Sequence, residues 1–158
     1  MIATVKFSGT TYAPLPGKFE AGTQNINAVP TLKPAIEFLK LLEDNELKKE
    51  IGAVEECVER SFASLGMTNG VKVYGVPRGT QEKAPIYSFT VEGAHHEDLA
   101  LILDKMGIAV RSGQMCAEPL MDRFGVTGML RVSLAPYNTL EEIEYFTEAI
   151  SKAIKMLV

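Results

Sequence analysis

MLRVSLAPYNTLEEIEYFTEAISKAIKML, residues 129–157, changes its apolar period part-way along. Over 129–135 the pattern alternates. Leu130, Val132 and Leu134 fall on one side and Arg131 and Ser133 on the other, which predicts a strand with one buried face. Burying the apolar face aims the Arg131 guanidinium away from the core. Beyond Thr139 the apolar residues recur at helical spacing, at Ile143, Phe146, Ile150, Ile154 and Leu157. Thr139 and Glu142 stand at the spacing of a capping box for that helix.

Working back toward the N-terminus, the same two periods keep exchanging. Residues 97–106 are amphipathic through Leu99, Ile102, Leu103 and Met106, with Gly107 as a stop, and 108–111 read as a strand. Pro119 suits the first turn of a short helix ending near Gly125, because a first-turn N–H has no helical partner to lose. Residues 71–74 and 86–91 alternate and read as strands joined by the turn-rich VPRGTQEKAP. A helix over 31–42 precedes a second one, capped by Asp44, with the stripe Leu47, Ile51, Val54, Val58, Phe62 and Leu65. The start gives a short strand over 4–7 and then a Pro- and Gly-bearing extended loop over 13–28. Short strands, tight connections and interleaved helices predict an α+β fold: a small sandwich of mostly antiparallel sheet with helices packed on it. We read residues 1–158 as one domain, with a strand and extended loop over 1–30 and an α+β core over 31–158.

The chain has 158 residues, 46% of them hydrophobic, enough for one sizeable core. Its 16 basic and 20 acidic residues give a net charge of −4. No basic block could neutralise a run of phosphates, so nucleic acid is not expected as a partner. No segment reads as a leader or a membrane span, and a cytoplasmic location is expected. Two cysteines do not make a disulfide framework. Nucleotide-binding glycine motifs and paired-cysteine metal spacings are absent. His95 and His96 are adjacent at a helix start, point different ways and lack a third ligand, so they read as capping or solvated residues and no metal is expected.

Two residues invite chemistry. Cys116 follows the polar Ser112, Gly113 and Gln114 and precedes a helix start near Arg111, a setting that favours thiolate over thiol. Its plain alternative is a small residue tucked against the next helix. Arg131 could grip a carboxylate through two parallel hydrogen bonds, or be a solvated surface arginine. Cys57, beside the stripe of the second helix, reads as packing, and the methionines at 106, 115, 121 and 129 as core filler.

KFEAGTQN, GIAVRSGQMCAEPLMDRFGV and LRVSLAPYNTLEEIE, in that order, resemble the C-terminal portion of the group II, SUF-type cysteine desulfurases. These are pyridoxal-phosphate enzymes of the class V aminotransferase superfamily. The resemblance runs nearly end to end and implies the small C-terminal domain of fold-type I pyridoxal-phosphate enzymes. By the same resemblance, Cys116 is the nucleophile that takes sulfur from L-cysteine as a persulfide, leaving L-alanine. A sulfur-acceptor protein then receives the sulfur for iron–sulfur cluster assembly. Arg131 and Arg111 match substrate-binding arginines. Thr23, with Gly22 beside it, matches a contact to the cofactor phosphate across a homodimer. The chain departs from the family where Gln114 and Met115 stand in place of His-His before the cysteine. It also has no His-Lys pair anywhere, so the upstream lysine-bearing domain is read as absent and the chain alone is expected to bind no cofactor. Two other readings stand beside this one: a stand-alone sulfur-accepting or protein-binding module, and a piece of a related aminotransferase or selenocysteine lyase.

Overall fold

A computed structural model describes residues 1–41, 45–75 and 84–158, without the side chains of 45–47. The expected Asp44 cap, Leu47 and most of the turn before Ile86 lie outside the described residues. The elements in order are β1 (Ile2–Lys6), β2 (Gly9–Tyr12), α1 (Leu32–Leu41), α2 (Asn45–Asn69), β3 (Val71–Tyr74), β4 (Ile86–Val91), α3 (His96–Lys105), β5 (Arg111–Gly113), α4 (Glu118–Phe124), β6 (Met129–Ser133) and α5 (Leu140–Leu157).

The chain divides into two compact units, Met1–Glu43 and Asp44–Val158. The first holds the antiparallel hairpin β1-β2, a loop with two single 3-10 turns, and α1. None of its described residues is buried. This division differs from the single domain with a core beginning at residue 31. The helix over 31–42 forms where its periodicity puts it and groups with the hairpin in the first unit. β2 went unread because GTTY has no buried face to impose an alternation.

The second unit is a four-stranded antiparallel sheet in the order β3-β4-β6-β5 with helices on it, the α+β architecture expected. Tyr87, Phe89 and Val91 of β4, Leu130 of β6 and Val71 of β3 turn one face inward. Against it pack Val58, Phe62 and Leu65 of α2, Leu99 and Leu103 of α3, and the α5 stripe of Ile143, Phe146, Ile150 and Ile154. Phe62 is the hinge of this core: its ring lies 5.5 Å from Tyr87, 5.0 Å from Phe89 and 5.9 Å from Phe146. The capping box of α5 is present. Glu142 N–H donates to Thr139 Oγ1 at 3.3 Å, and Thr139 N–H donates to Glu142 Oε2 at 3.0 Å.

One strand is displaced from its expected place. Residues 108–110 do not join the ladder, which begins at Arg111. Gly107 adopts φ +78°, which a residue with a Cβ resists. Gly107 N–H donates to Asp104 O and Ile108 N–H to Leu103 O, both at 2.9 Å, the pair of bonds that closes a helix C-terminus with an apolar residue folded back on it. Ile108 and Val110 are thus spent on sealing α3 against the core. Among the described residues no helix is long and apolar enough to cross a membrane.

Candidate functional site

Arg131 sits on the sheet face turned away from α2, α3 and α5, as the alternation of β6 requires. The register assigns its neighbours. Ser88 of β4 is opposite on one side and Arg111 of β5 on the other, while Tyr74 of β3 is opposite Ser88. Directly opposed residues in a sheet share a face. Tyr74, Ser88, Arg131 and Arg111 therefore form one row across four strands. Tyr74 OH lies 3.2 Å from Thr90 Oγ1 on that face, and its ring is 5.0 Å from Phe124 of α4. The second contact places α4 over the same side of the sheet.

Two arginines directly opposite each other repel unless an anion lies between or beside them. Among the described residues neither is within ion-pair distance of a carboxylate. Arg131 is half-buried, its Nε is enclosed without a hydrogen-bond partner, and Arg111 is exposed. An anion placed beside the pair would relieve that repulsion. Neither Ser88 nor Tyr74 could be found from sequence, since only the register brings them beside the arginines.

β5 ends at Gly113, and the chain turns over residues 114–117 to enter α4. Ala117 N–H donates to Gln114 O at 3.0 Å. The two central residues, Met115 and Cys116, have φ +57° and +60°. Both are left-handed, the conformation of a hairpin-type turn that normally takes Asn-Gly. Cys116 is exposed within this turn, two residues before α4 begins. Cys57 is half-buried beside the α2 stripe and belongs to the packing. Thr23 and Gly22 lie in the loop of the first unit, both exposed. His95 caps α3, its Nδ1 accepting from Glu97 N–H at 3.4 Å, and its ring stacks 4.2 Å from His96. Among the described residues no group of three metal-ligating side chains forms.

Residues 1–146 match the aminotransferase class-V family. The chain belongs to that family. It is 39% identical over 157 residues to a protein of Vibrio cholerae named a probable cysteine desulfurase, covering 99% of this chain and 37% of that protein. It is 36% identical over 158 residues to the cysteine desulfurase CsdA of Escherichia coli, covering 100% of this chain and 37% of that one. The crystal structure of CsdA superposes with a TM-score of 0.78 at 32% identity, over 100% of this chain and 38% of CsdA. The apo structure of a Thermococcus onnurineus cysteine desulfurase gives 0.76 at 35% identity, covering 99% of this chain and 38% of that one. The chain thus spans a little over a third of the class-V relatives it matches, and its fold is theirs over that span.

Pyridoxal phosphate is the cofactor that the likeness to cysteine desulfurases implies, and the loop at Gly22 would leave room for one edge of it. Gly22 has φ +82° with open space where a Cβ would stand, and the exposed Thr23 hydroxyl follows it, a pair suited to an approaching phosphate.

Proposed function

We propose that this chain is the C-terminal portion of a group II cysteine desulfurase and carries its nucleophile and its substrate-carboxylate clamp. The observation that carries the reading is the cross-strand pair Arg111 and Arg131, two cations side by side with no acidic partner among the described residues, with Arg111 on the strand that leads into the Cys116 turn. In this reading the guanidinium of Arg131, backed by Arg111, holds the α-carboxylate of L-cysteine through charge-assisted hydrogen bonds. Clamping that end orients the substrate sulfur toward Cys116. The Cys116 thiolate attacks that sulfur. A sulfur–sulfur bond forms as the substrate carbon–sulfur bond breaks, and the electron pair stays with the carbon, which is protonated to give L-alanine. Cys116 is left as a persulfide, for a sulfur-acceptor protein in iron–sulfur cluster assembly. Pyridoxal phosphate supplies the electron sink for that cleavage. Thr23 and Gly22 would meet its phosphate in the homodimer of the complete enzyme.

The test separates the parts. The 158-residue chain, mixed with pyridoxal phosphate and L-cysteine, is expected to show no protein-bound cofactor absorbance and to release no sulfide. Fused to the upstream part of a cysteine desulfurase, it should show both. In the fusion, Cys116→Ala should abolish the persulfide and keep the absorbance. Arg131→Ala should raise KM for cysteine about tenfold to a hundredfold, the worth of a charge-assisted bond of about 1.5 to 3 kcal/mol. Steady sulfide release by the 158-residue chain alone would overturn the reading. A persulfide on Cys116 supplied only by a separate desulfurase, with the fusion inert, would instead favour a sulfur-accepting module.

A further inference from the structure

Gly128 is buried at the entry to β6. A Cβ built on it would run into His96 Nε2 and lie 2.8 Å from Cδ2 and Cε1, so the Nε2 edge of the imidazole fills the space a side chain would need. The ring is held from behind, because α3 is anchored in the core by Leu99 and Leu103, both fully buried. It also forms part of the wall of a cleft of about 260 Å³ with Thr90, Val126 and Thr127. His96 Nδ1 is enclosed there without a hydrogen-bond partner. Gly128 directly precedes Met129, which pairs with Gly113, and Gly113 directly precedes the turn that presents Cys116. Two residues beyond Met129 on the same strand, Arg131 pairs with Arg111. One short ladder therefore joins the imidazole contact to both halves of the candidate site.

We propose that His96 is a positioning residue, which through Gly128 sets the end of the β5-β6 ladder from which Cys116 and Arg131 are presented. The chemical roles of those two residues rest on the function proposed above; the coupling does not. Close-packed interiors transmit small displacements rather than absorb them, and at a glycine with no free space the backbone must move if the ring does. The ring fits as the neutral imidazole. Burial, and then the charge of His95, hold its pKa below the ordinary value of 6.5, while Glu97 and Asp98 on the same helix act the other way. Among the described residues, β4, β6 and the turn after α4 add no titratable side chain to the cleft lining. Neutral imidazole is therefore the resting form at pH 7. Protonation at lower pH puts a charge and a second N–H donor into a cleft wall with no acceptor for Nδ1, which pushes the ring off Gly128.

NMR of the 158-residue chain between pH 8 and pH 5 tests this without cofactor or activity. The amides of Gly113, Met115, Cys116, Gly128 and Met129 should shift together, with the midpoint of the His96 ring and below pH 6.5. His96→Gln should remove that titration from all five amides, whereas His95→Gln should leave it in place. Gly128→Ala should shift the same amides at pH 7.5, where His96 is neutral. Amides near Cys116 that stay still through the His96 titration of the wild-type chain would overturn the proposal, whatever the variants do. Coupled shifts in a chain whose fusion makes no persulfide would sink the functional reading and leave this one standing.

Discussion

Cys116 is held in a backbone conformation that its own side chain disfavours. At φ +60°, next to Met115 at +57°, it carries the left-handed cost of about 1 to 2 kcal/mol for a residue with a Cβ. Its side chain is exposed, so little packing compensates. Cys116→Gly should therefore stabilise the chain by about 0.5 to 1 kcal/mol, the relief of that cost less the greater freedom glycine regains on unfolding. Cys116→Ala should not. Urea unfolding of the two variants beside the parent checks this, and equal midpoints for Gly and Ala would mean that the turn is unstrained. Backbone outliers of this kind cluster at functional sites, which points to a role for the exposed thiol. That is the residue-scale argument for a functional thiol, independent of any resemblance. Sequence placed the cysteine before a helix; it could not foresee left-handed geometry at two adjacent non-glycine residues.

Among elements, α2 and α5 hold the sheet through one aromatic side chain. Phe62 is 4% exposed and touches rings from β4 and α5 at once. Phe62→Ala should cost about 3 to 5 kcal/mol, the usual loss for a buried aromatic that leaves a cavity. Chemical denaturation followed by circular dichroism measures it. A loss below about 1 kcal/mol would mean that the core does not close around this ring. Elements with a strong period were legible. β3 and β4 match their expected bounds, and α3, α4 and α5 lie within a residue or two of theirs. β5 was misplaced because three apolar-rich residues before Arg111 carry a strand-like composition but serve as the C-terminal seal of α3. Composition alone cannot tell a ladder residue from a capping one, since both are apolar and extended.

At the scale of the whole molecule, every buried core residue among the described ones lies between Val58 and Ile154, inside the second unit, while no described residue of the first unit is buried. A chain of residues 44–158 should accordingly unfold in one cooperative transition within a few degrees of the full chain. Residues 1–43 alone should show no cooperative transition, being too short and too exposed to sustain a core. Calorimetry of the two pieces decides it; loss of cooperativity in the larger piece would mean that the hairpin and α1 contribute to the core. What the sequence by itself determined was the local order: the alternating strands, the helical stripes, the capping box at Thr139, and the outward direction of Arg131. Each is fixed by neighbours within a few residues, so its signal is written in a short window. The order of motifs also carried the family. Only the tertiary structure decided that Arg111 and Arg131 are opposed across one ladder, and that Ser88 and Tyr74 share their row. It also decided that His96 fills the space beside Gly128, and that α1 groups with the hairpin rather than the core. Those facts depend on register and on which faces meet, and residues distant in sequence settle both by what they leave room for.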